Sequence, residues 1–275
     1  MGRMRCAVLA LSLVGCNQIY GLDPTQLDDL EPPACSTVRF GPPRAIPQFV
    51  DGPAELDPQL SADGNELWFT RAEVEGFTIF RGMRESADAP YTVTPAGLLA
   101  TATSTFDAAL TADGRRLMFL ADDTGGRRLY EAVRATPTTF PFDRLLMVSG
   151  LGQFQLIQSI DLSWDGLRLY FGANEGQIYV AERATRDAPF GDATMLFDGA
   201  WFPTVSGDEL EIFHNRFMGT TREMFRRARA DRSDAFGPEE LVLDDGSDPD
   251  ISPTSSVLVV VLGNGLSILD RPCPK

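Results

Sequence analysis

The scarcity of histidine limits the chemistry that this chain can perform. His214 is the only histidine among 275 residues, and it lies in the apolar run Ile212-Phe213-His214. A Ser-His-Asp set needs an imidazole as general base, and zinc sites usually draw on several histidines or cysteines. We interpret His214 as a packing residue, and no glycine-rich phosphate loop is evident. The sequence therefore predicts no catalytic residue set, no metal site and no cofactor.

Carboxylates are the remaining candidates for a functional site. Asp57, Asp107 and Asp248 each precede a Leu or Ile by three residues in segments that resemble one another, and Asp161 is nearby but offset. In a ring of repeats, these three side chains would line one end of a central channel and could hold a cation or a basic group. Alternatively, each aspartate hydrogen-bonds backbone amides where a loop enters a strand, which is a common role for Asp. Both interpretations stay open.

Cysteine chemistry is concentrated at the N-terminus. Two arginines, Arg3 and Arg5, precede an apolar run of about ten residues, which is too short to span a bilayer and is typical of a signal peptide. Leu13-Val14-Gly15-Cys16 follows at once and resembles the lipobox of bacterial lipoproteins. The resemblance implies that residues 1–15 are removed and that Cys16 carries a lipid. An ordinary cleaved leader with a chance cysteine is the alternative.

The segment that follows is rich in acidic residues and proline. Residues 16–36 contain Asp23, Asp28, Asp29 and Glu31 together with three prolines, a composition that opposes compact structure. We interpret it as an acidic tether that leads to a folded domain at 37–275. Cys35 and Cys273 lie just before and just after the repeats described below, so that ring closure would bring them together. In an oxidising compartment they could form a disulfide, which would contribute on the order of 4–5 kcal/mol.

A repeated segment reveals the elements that must position these side chains. Leu60-Ser-Ala-Asp-Gly-Asn-Glu-Leu-Trp-Phe69 matches segments starting at Leu110 and Leu162 without a gap, and weaker copies start at Val205 and Ile251. Their hydroxyl residues, Ser61, Thr111, Ser163, Ser206 and Ser252, are 50, 52, 43 and 46 residues apart. This spacing is typical of four-stranded propeller blades. The Asp-Gly pairs predict tight hairpins with positive φ, and the turns at Glu209 and Thr254-Ser255 are expected to be of another type.

The N-terminus supplies a strand that the last repeat lacks. An outer fourth strand is marked by an aromatic residue in four copies, at Tyr91, Phe140, Phe190 and Phe236. The fifth copy has none, but Phe40-Gly41-Pro42 before the first repeat matches Phe236-Gly237-Pro238. We therefore predict an all-β fold, a propeller of five four-stranded blades in which the N-terminal strand closes the last blade. The repeats resemble the WD-like repeats of TolB-type periplasmic proteins, although that family has six blades and an additional domain.

Charge and repeat pattern together favour a binding function. The net charge of −15 and the absence of a basic cluster argue against nucleic acid. Propellers present broad end faces to partners. We therefore expect a non-catalytic scaffold of the cell envelope, on the periplasmic face or the outer membrane. It would be held to the membrane by the lipid on Cys16 and would bind an envelope protein or a cell-surface glycan. A glycosidase of the arabinanase type, which needs only two carboxylates, and a lectin-like binder are the alternatives.

Overall fold

The computed structural model describes residues 39–137, 139–154 and 156–272, which form five four-stranded antiparallel sheets arranged as the blades of a β-propeller. This confirms the predicted fold class. The predicted signal peptide, the tether and all three cysteines with assigned roles (Cys16, Cys35 and Cys273) lie outside the described residues. Within the described ranges, no helix is long and apolar enough to span a membrane.

Each blade runs from an inner strand at the central channel to an outer strand. Blades one and two comprise β2 (Glu55–Leu60), β3 (Glu66–Glu73), β4 (Gly76–Met83), β5 (Thr92–Pro95), β6 (Ser104–Leu110), β7 (Arg116–Asp123), β8 (Gly126–Val133) and β9 (Arg144–Met147). Blades three and four comprise β10 (Ile157–Leu162), β11 (Arg168–Ala173), β12 (Gln177–Glu182), β13 (Thr194–Asp198), β14 (Trp201–Val205), β15 (Glu211–Met218), β16 (Thr221–Ala228) and β17 (Glu240–Leu243). Blade five comprises β18 (Ser247–Ile251), β19 (Val257–Leu262), β20 (Gly265–Asp270) and the N-terminal β1 (Arg44–Ala45).

The N-terminal strand completes the last blade, as the sequence predicts. In β1, Arg44 pairs with Ile268 and Ala45 with Ser267 of β20. A single 3₁₀ turn, Pro47–Phe49, then carries the chain into blade one. There the Phe49 ring is buried, with its centroid 5.1 Å from that of Phe69. The two ends of the propeller are therefore joined by both backbone pairing and aromatic packing.

The second strand of each blade is buried on both faces because neighbouring blades cover it. An aromatic residue at one position stacks on an aromatic residue of the third strand, as in Phe69 on Phe80 at 5.9 Å between ring centroids. The same stacked pair recurs as Phe119–Tyr130, Phe171–Tyr179 and His214–Phe225. The histidine thus occupies the packing position that its place in the repeat indicates.

The turns between first and second strands differ from the prediction. Only the glycine of each Asp-Gly pair has positive φ. Its N–H donates to the backbone carbonyl of the hydroxyl residue three positions earlier, as in Gly64 to Ser61 at 2.9 Å. Glu209 and Ser255 adopt the same left-handed conformation, with φ of 58° each, and make the same bond. The fourth and fifth turns are therefore of the same type as the others, because non-glycine residues accept the positive φ.

An arginine directly follows the third strand of each blade and holds the turn between the first and second strands in place. In four blades its Nε donates to a turn carbonyl, as in Arg183 to Gly166 at 2.8 Å. In all five blades its guanidinium stacks on an aromatic ring that precedes the outer strand. The pairs are Arg84–Tyr91, Arg134–Phe142, Arg183–Phe190, Arg229–Phe236 and Arg271–Phe40. In blade two the stacking ring is Phe142 and not the predicted marker Phe140, which instead receives Arg81 of blade one.

Buried glutamates link these arginines across blade boundaries. Glu66 of blade one accepts from Arg134 of blade two at 2.8 Å, and Glu131 of blade two accepts from Arg183 of blade three at 3.0 Å. Glu211 of blade four likewise binds Arg271 of blade five at 2.7 Å. These pairs lie at the end of the propeller where the inner strands finish, and they leave the opposite end for the site described next.

Candidate functional site

The inner strands begin at one end of the propeller with a distorted stretch. Every inner strand slips in register against its second strand, as between Phe106 and Ala108. At the slip, Asp57, Asp107, Phe202 and Asp248 adopt φ of 47°, 53°, 53° and 49°. Aspartate tolerates this left-handed conformation better than most residues. The equivalent positions of three blades therefore carry an aspartate, and the fourth carries a phenylalanine.

These residues line one cavity in the central channel. The space in it that a water-sized sphere can enter is about 20 Å³, enough for about one water molecule. Asp57, Asp107 and Asp248, which the sequence singles out, lie in its wall together with Phe202. Asp161 and Asp250 line the same cavity one layer further along the inner strands. The structure thus brings the three predicted carboxyls together and adds two more.

Asp250 is a residue that the sequence interpretation missed, although its position carries a signal. It lies two residues before the hydroxyl residue of its repeat, where the other copies have Gln59, Ala109, Asp161 and Thr204. A polar side chain at this point in four of five copies indicates a shared role. That role is visible in the hydrogen bonds between blades.

Side chains of the inner strands join every pair of adjacent blades by accepting a backbone N–H from the next blade. Asp250 accepts from Leu60, Gln59 from Leu110, Asp161 from Val205 and Thr204 from Ile251, at 2.7, 3.2, 2.7 and 3.1 Å. Ala109 has no acceptor, and at that junction Asp107 accepts from Ile160 at 3.0 Å. Asp107 therefore bonds a backbone amide as the second interpretation proposes, but that amide, of Ile160, belongs to the neighbouring blade.

Asp248 has a different environment from the other channel aspartates. Its Oδ2 accepts from the Ser247 hydroxyl at 3.2 Å, whereas its Oδ1 is buried with no hydrogen-bond partner among the described residues. The side chain is only 4% exposed. By contrast, both oxygens of Asp250 accept hydrogen bonds, from Gln59 Nε2 and the Leu60 N–H. The Asp57 N–H is close enough to lower the pKa of Asp248, but Oδ1 of Asp248 is the channel carboxyl oxygen, among the described residues, that is fully buried without a hydrogen-bond partner.

Burial raises the pKa of all five channel carboxyls. Desolvation raises the pKa of Asp57 to about 6 and those of Asp161 and Asp248 to about 7. The pKa values of Asp107 and Asp250 are also raised, mainly by desolvation and further by neighbouring aspartates. Arg222 lowers the pKa of Asp248, but by less than desolvation raises it. The channel therefore holds carboxyls that change charge near neutral pH.

Cations and apolar side chains surround the channel opening. The Arg127 guanidinium stacks over the Phe106 ring at 4.1 Å, and Arg222 donates to Ser247 at 3.1 Å. The strand order places the turns between second and third strands at this end, together with the segments that enter the inner strands. Six exposed apolar side chains lie in or beside these turns and segments, and we name them the mouth face: Val50, Val74, Phe77, Leu156, Phe217 and Met218.

Metal-ligating residues do not converge in this part of the molecule or elsewhere in the described ranges. No group of three or more His, Cys, Asp or Glu residues there is placed to hold a metal ion. His214 lies outside the cavity and is fully buried between Phe197 and Phe225.

Comparison with solved structures identifies the fold. No protein-family model and no curated protein matches the sequence. The catalytic domain of a GH62 α-L-arabinofuranosidase from Coprinopsis cinerea superposes with a TM-score of 0.57 at 12% identity, over 86% of this chain and 98% of that one. A TolB-like protein from Agrobacterium tumefaciens gives 0.52 at 18% identity, over 75% and 69%.

TolB from Acinetobacter baumannii gives a TM-score of 0.49 at 17% identity over 80% of this chain, and this chain spans 55% of its length. The structural neighbours thus include TolB-like proteins as well as glycoside hydrolases, and at these identities they establish the β-propeller fold alone.

Proposed function

We propose that the protein is a non-catalytic scaffold of the cell envelope that binds a basic partner protein through its mouth face. The observation that carries this proposal is the combination of six exposed apolar side chains with an acidic channel at the same end of the propeller. Exposed apolar groups gathered on one face are typical of interaction sites. The net charge of −15 favours a partner of opposite charge, through long-range attraction and through the fit of charges at the interface.

The bonding of the channel carboxyls favours a scaffold over an enzyme. A general acid or base must reach the atom with which it exchanges a proton. Asp161 and Asp250 use both carboxyl oxygens to hold backbone or side-chain N–H groups, and Asp107 bridges two blades. These side chains hold the inner strands together, so that their removal is expected to affect stability before any reaction.

A pull-down from the native cell envelope tests the proposal. The bait is the lipidated protein, cross-linked in place, in three forms: wild type, the mouth-face variant Val74→Asp/Met218→Asp, and the control Met195→Asp/Leu241→Asp. Met195 and Leu241 are similarly exposed but lie on outer strands. A stoichiometric partner that the wild type and the control retain, and that the mouth-face variant loses at least tenfold, is the expected result. Equal recovery by both variants, or no partner at all, contradicts the proposal.

The membrane anchor is a separate part of the proposal. The motif Leu13-Val14-Gly15-Cys16 supports lipidation of Cys16 after removal of residues 1–15. Palmitate labelling of the expressed full chain is expected to disappear in Cys16→Ser. In the presence of globomycin, the wild-type chain is expected to accumulate as the unprocessed precursor. Labelling that persists in the variant would rule out this anchor without affecting the mouth face.

Glycan cleavage is the second candidate function. The pKa of Asp57, raised to about 6 by burial, is in the range of a carboxyl that can donate a proton near neutral pH. Asp107 lies in the wall of the same cavity and would be the second carboxyl. Turnover of arabinan or an aryl arabinofuranoside, lost in Asp57→Asn and Asp107→Asn but retained in Asp63→Asn at the opposite end, would establish an enzyme. We expect no turnover in any form.

A further inference from the structure

The channel cavity is an acidic site whose wall carries no cation of its own. Five aspartates line it, and among the described residues of its wall there is no lysine or arginine. Carboxylates buried without a counter-charge are costly, so that they either take up protons or attract a cation. The nearest cations are at the rim: Arg127 is paired with Asp122, and Arg222 donates to Ser247 and lowers the pKa of Asp248 by less than desolvation raises it. The cavity is therefore suited to a positive group from outside the chain.

One unused acceptor shows where such a group would bind. Asp248 Oδ1 is buried in the cavity wall without a partner among the described residues, which is unusual for a buried carboxylate oxygen. Asp57 and Asp107 occupy the equivalent positions of the next two blades, with the same left-handed backbone. Three carboxyls from three blades thus line the same cavity, and Oδ1 of Asp248 is the fully buried oxygen among them that lacks a donor.

The shape of the cavity favours one kind of cation. A primary ammonium is compact and has three N–H donors, so that it fits a space of about the size of a water molecule and can bond Asp248 Oδ1 together with other polar groups of the wall. Phe202 takes the equivalent position in blade four and lines the same cavity, so that the wall also has an apolar residue beside the carboxyls. A guanidinium, which is larger, planar and forked, suits two parallel acceptors, whereas Asp248 offers one unpartnered buried oxygen.

We infer that the channel binds a primary ammonium group, with Asp248 Oδ1 as the principal acceptor and Asp57, Asp107 and Phe202 around it. The group is either the side chain of a lysine presented by a partner or a free small amine, and the same chemistry recognises both. The inference extends the proposed function without depending on it, because a free amine would bind even if no partner protein existed.

Calorimetric titration of the full chain at pH 8 and low salt tests the inference. The probes are n-butylammonium, the peptide acetyl-Gly-Lys-Gly-amide, the same peptide with an acetylated lysine, and tetramethylammonium, which has no N–H donor. Saturable 1:1 binding of butylammonium, of the lysine peptide or of both is expected. The acetylated-lysine peptide and tetramethylammonium are expected not to bind. Binding of the peptide assigns the group to a partner lysine, and binding of butylammonium alone assigns it to a free amine.

Two variants make the test specific to the residue. Asp248→Asn removes the charge while keeping a side chain that tolerates positive φ, and it is expected to weaken binding more than tenfold with the fold intact. Asp250→Asn is the matched control in the same cavity. Both of its oxygens are occupied, so it is expected to weaken binding less than threefold while lowering the melting temperature. If Asp248→Asn does not fold, Asp57→Asn replaces it, with the same expected loss.

Three results would overturn the inference: no saturable binding of either ammonium probe, equal weakening by Asp248→Asn and Asp250→Asn, or displacement of butylammonium by equimolar Ca²⁺. None of these results bears on the pull-down. If a partner is captured but no ammonium binds, the proposed function stands and this site does not. If an ammonium binds but no partner is captured, the site stands and the proposed function does not.

Discussion

The guanidinium of Arg271 lies 4.1 Å from the ring centroid of Phe40, at the other end of the described chain. In each other blade the equivalent arginine stacks on an aromatic residue that is close in sequence, such as Arg229 on Phe236. In blade five alone the ring comes from the N-terminal segment. This contact, together with the pairing of β1 and β20, closes the propeller.

Phe40→Ala is therefore expected to destabilise the fold by about 1–3 kcal/mol, because a half-buried ring and its stacking on a cation are lost. The matched control Phe236→Ala removes the equivalent ring of blade four and is expected to cost about the same in urea unfolding. Hydrogen exchange separates the two variants. Phe40→Ala should speed exchange in Gly265–Asp270, whereas an unchanged rate there would mean that the contact does not secure closure.

Arg134→Met is expected to destabilise the protein by about 3–5 kcal/mol, since it breaks a buried ion pair and leaves part of the charge of Glu66 unmatched. Arg134→Lys is expected to recover little, because a lysine cannot reach the Gly114 carbonyl and Glu66 together. The control is Arg44→Ala, where the pair with Asp270 is exposed and should contribute less than about 1 kcal/mol. Similar losses for Arg134→Met and Arg44→Ala would contradict this account.

Most of the fold could be predicted because each repeat can be recognised from a short stretch of sequence. Three nearly identical copies identify the blade, and Phe40-Gly41-Pro42 identifies the closing strand. The arginines that follow the third strands, at positions 84, 134, 183, 229 and 271, also occupy one equivalent position of the repeat. They were missed because each acts through a turn and a ring that become neighbours only in the folded blade.

The site was predictable in part for the same reason. The shared position of Asp57, Asp107 and Asp248 placed them in one cavity. Asp161 and Asp250 needed a second register position to be compared across copies that contain Gln, Ala and Thr there. Which carboxyl keeps a free oxygen depends on contacts between blades, and no single repeat contains that information.

Ser255→Gly is expected to stabilise the protein by about 0.5–1.5 kcal/mol. Ser255 has φ of 58° and a buried hydroxyl oxygen without a partner among the described residues, so glycine removes both the backbone strain and the unsatisfied group. Three of the five repeats already have glycine at this point of the turn. The reverse change, Gly64→Ala, should destabilise, since it introduces a Cβ at φ of 71° close to Arg84. A lower melting temperature for Ser255→Gly would contradict the assignment of strain.

The channel carboxyls predict a stability that declines as the pH rises. The pKa of Asp248 is about 7 in the folded protein and near 3.9 in an unfolded chain. Its stabilising contribution is therefore fully present below pH 3.9 and is lost as the pH rises to about 7. Asp248→Asn, which cannot ionise, should exceed the wild type at pH 8 by on the order of 2–4 kcal/mol and lose that advantage near pH 4. Urea unfolding at the two pH values measures the difference, and a pH-independent gap would contradict it.

His214 predicts the opposite trend at acidic pH. Burial lowers its pKa to about 4 from the ordinary value of 6.5, even though Glu239 lies 3.5 Å from Nε2. Because the folded pKa is depressed, the stability contributed by the neutral imidazole is complete above pH 6.5 and is lost as the pH falls to about 4.

His214→Phe restores the residue type found at the equivalent positions 69, 119 and 171, and Glu239 keeps its bonds to Arg216 and Arg227. We expect the variant to match the wild type at pH 7.5 and to exceed it by on the order of 2–3 kcal/mol at pH 4. The mirror substitution Phe171→His places an imidazole against Tyr179 and should introduce a new loss of stability below pH 6.5. If His214→Phe left the acid limb of the stability profile unchanged, the titrating group there would be one other than His214.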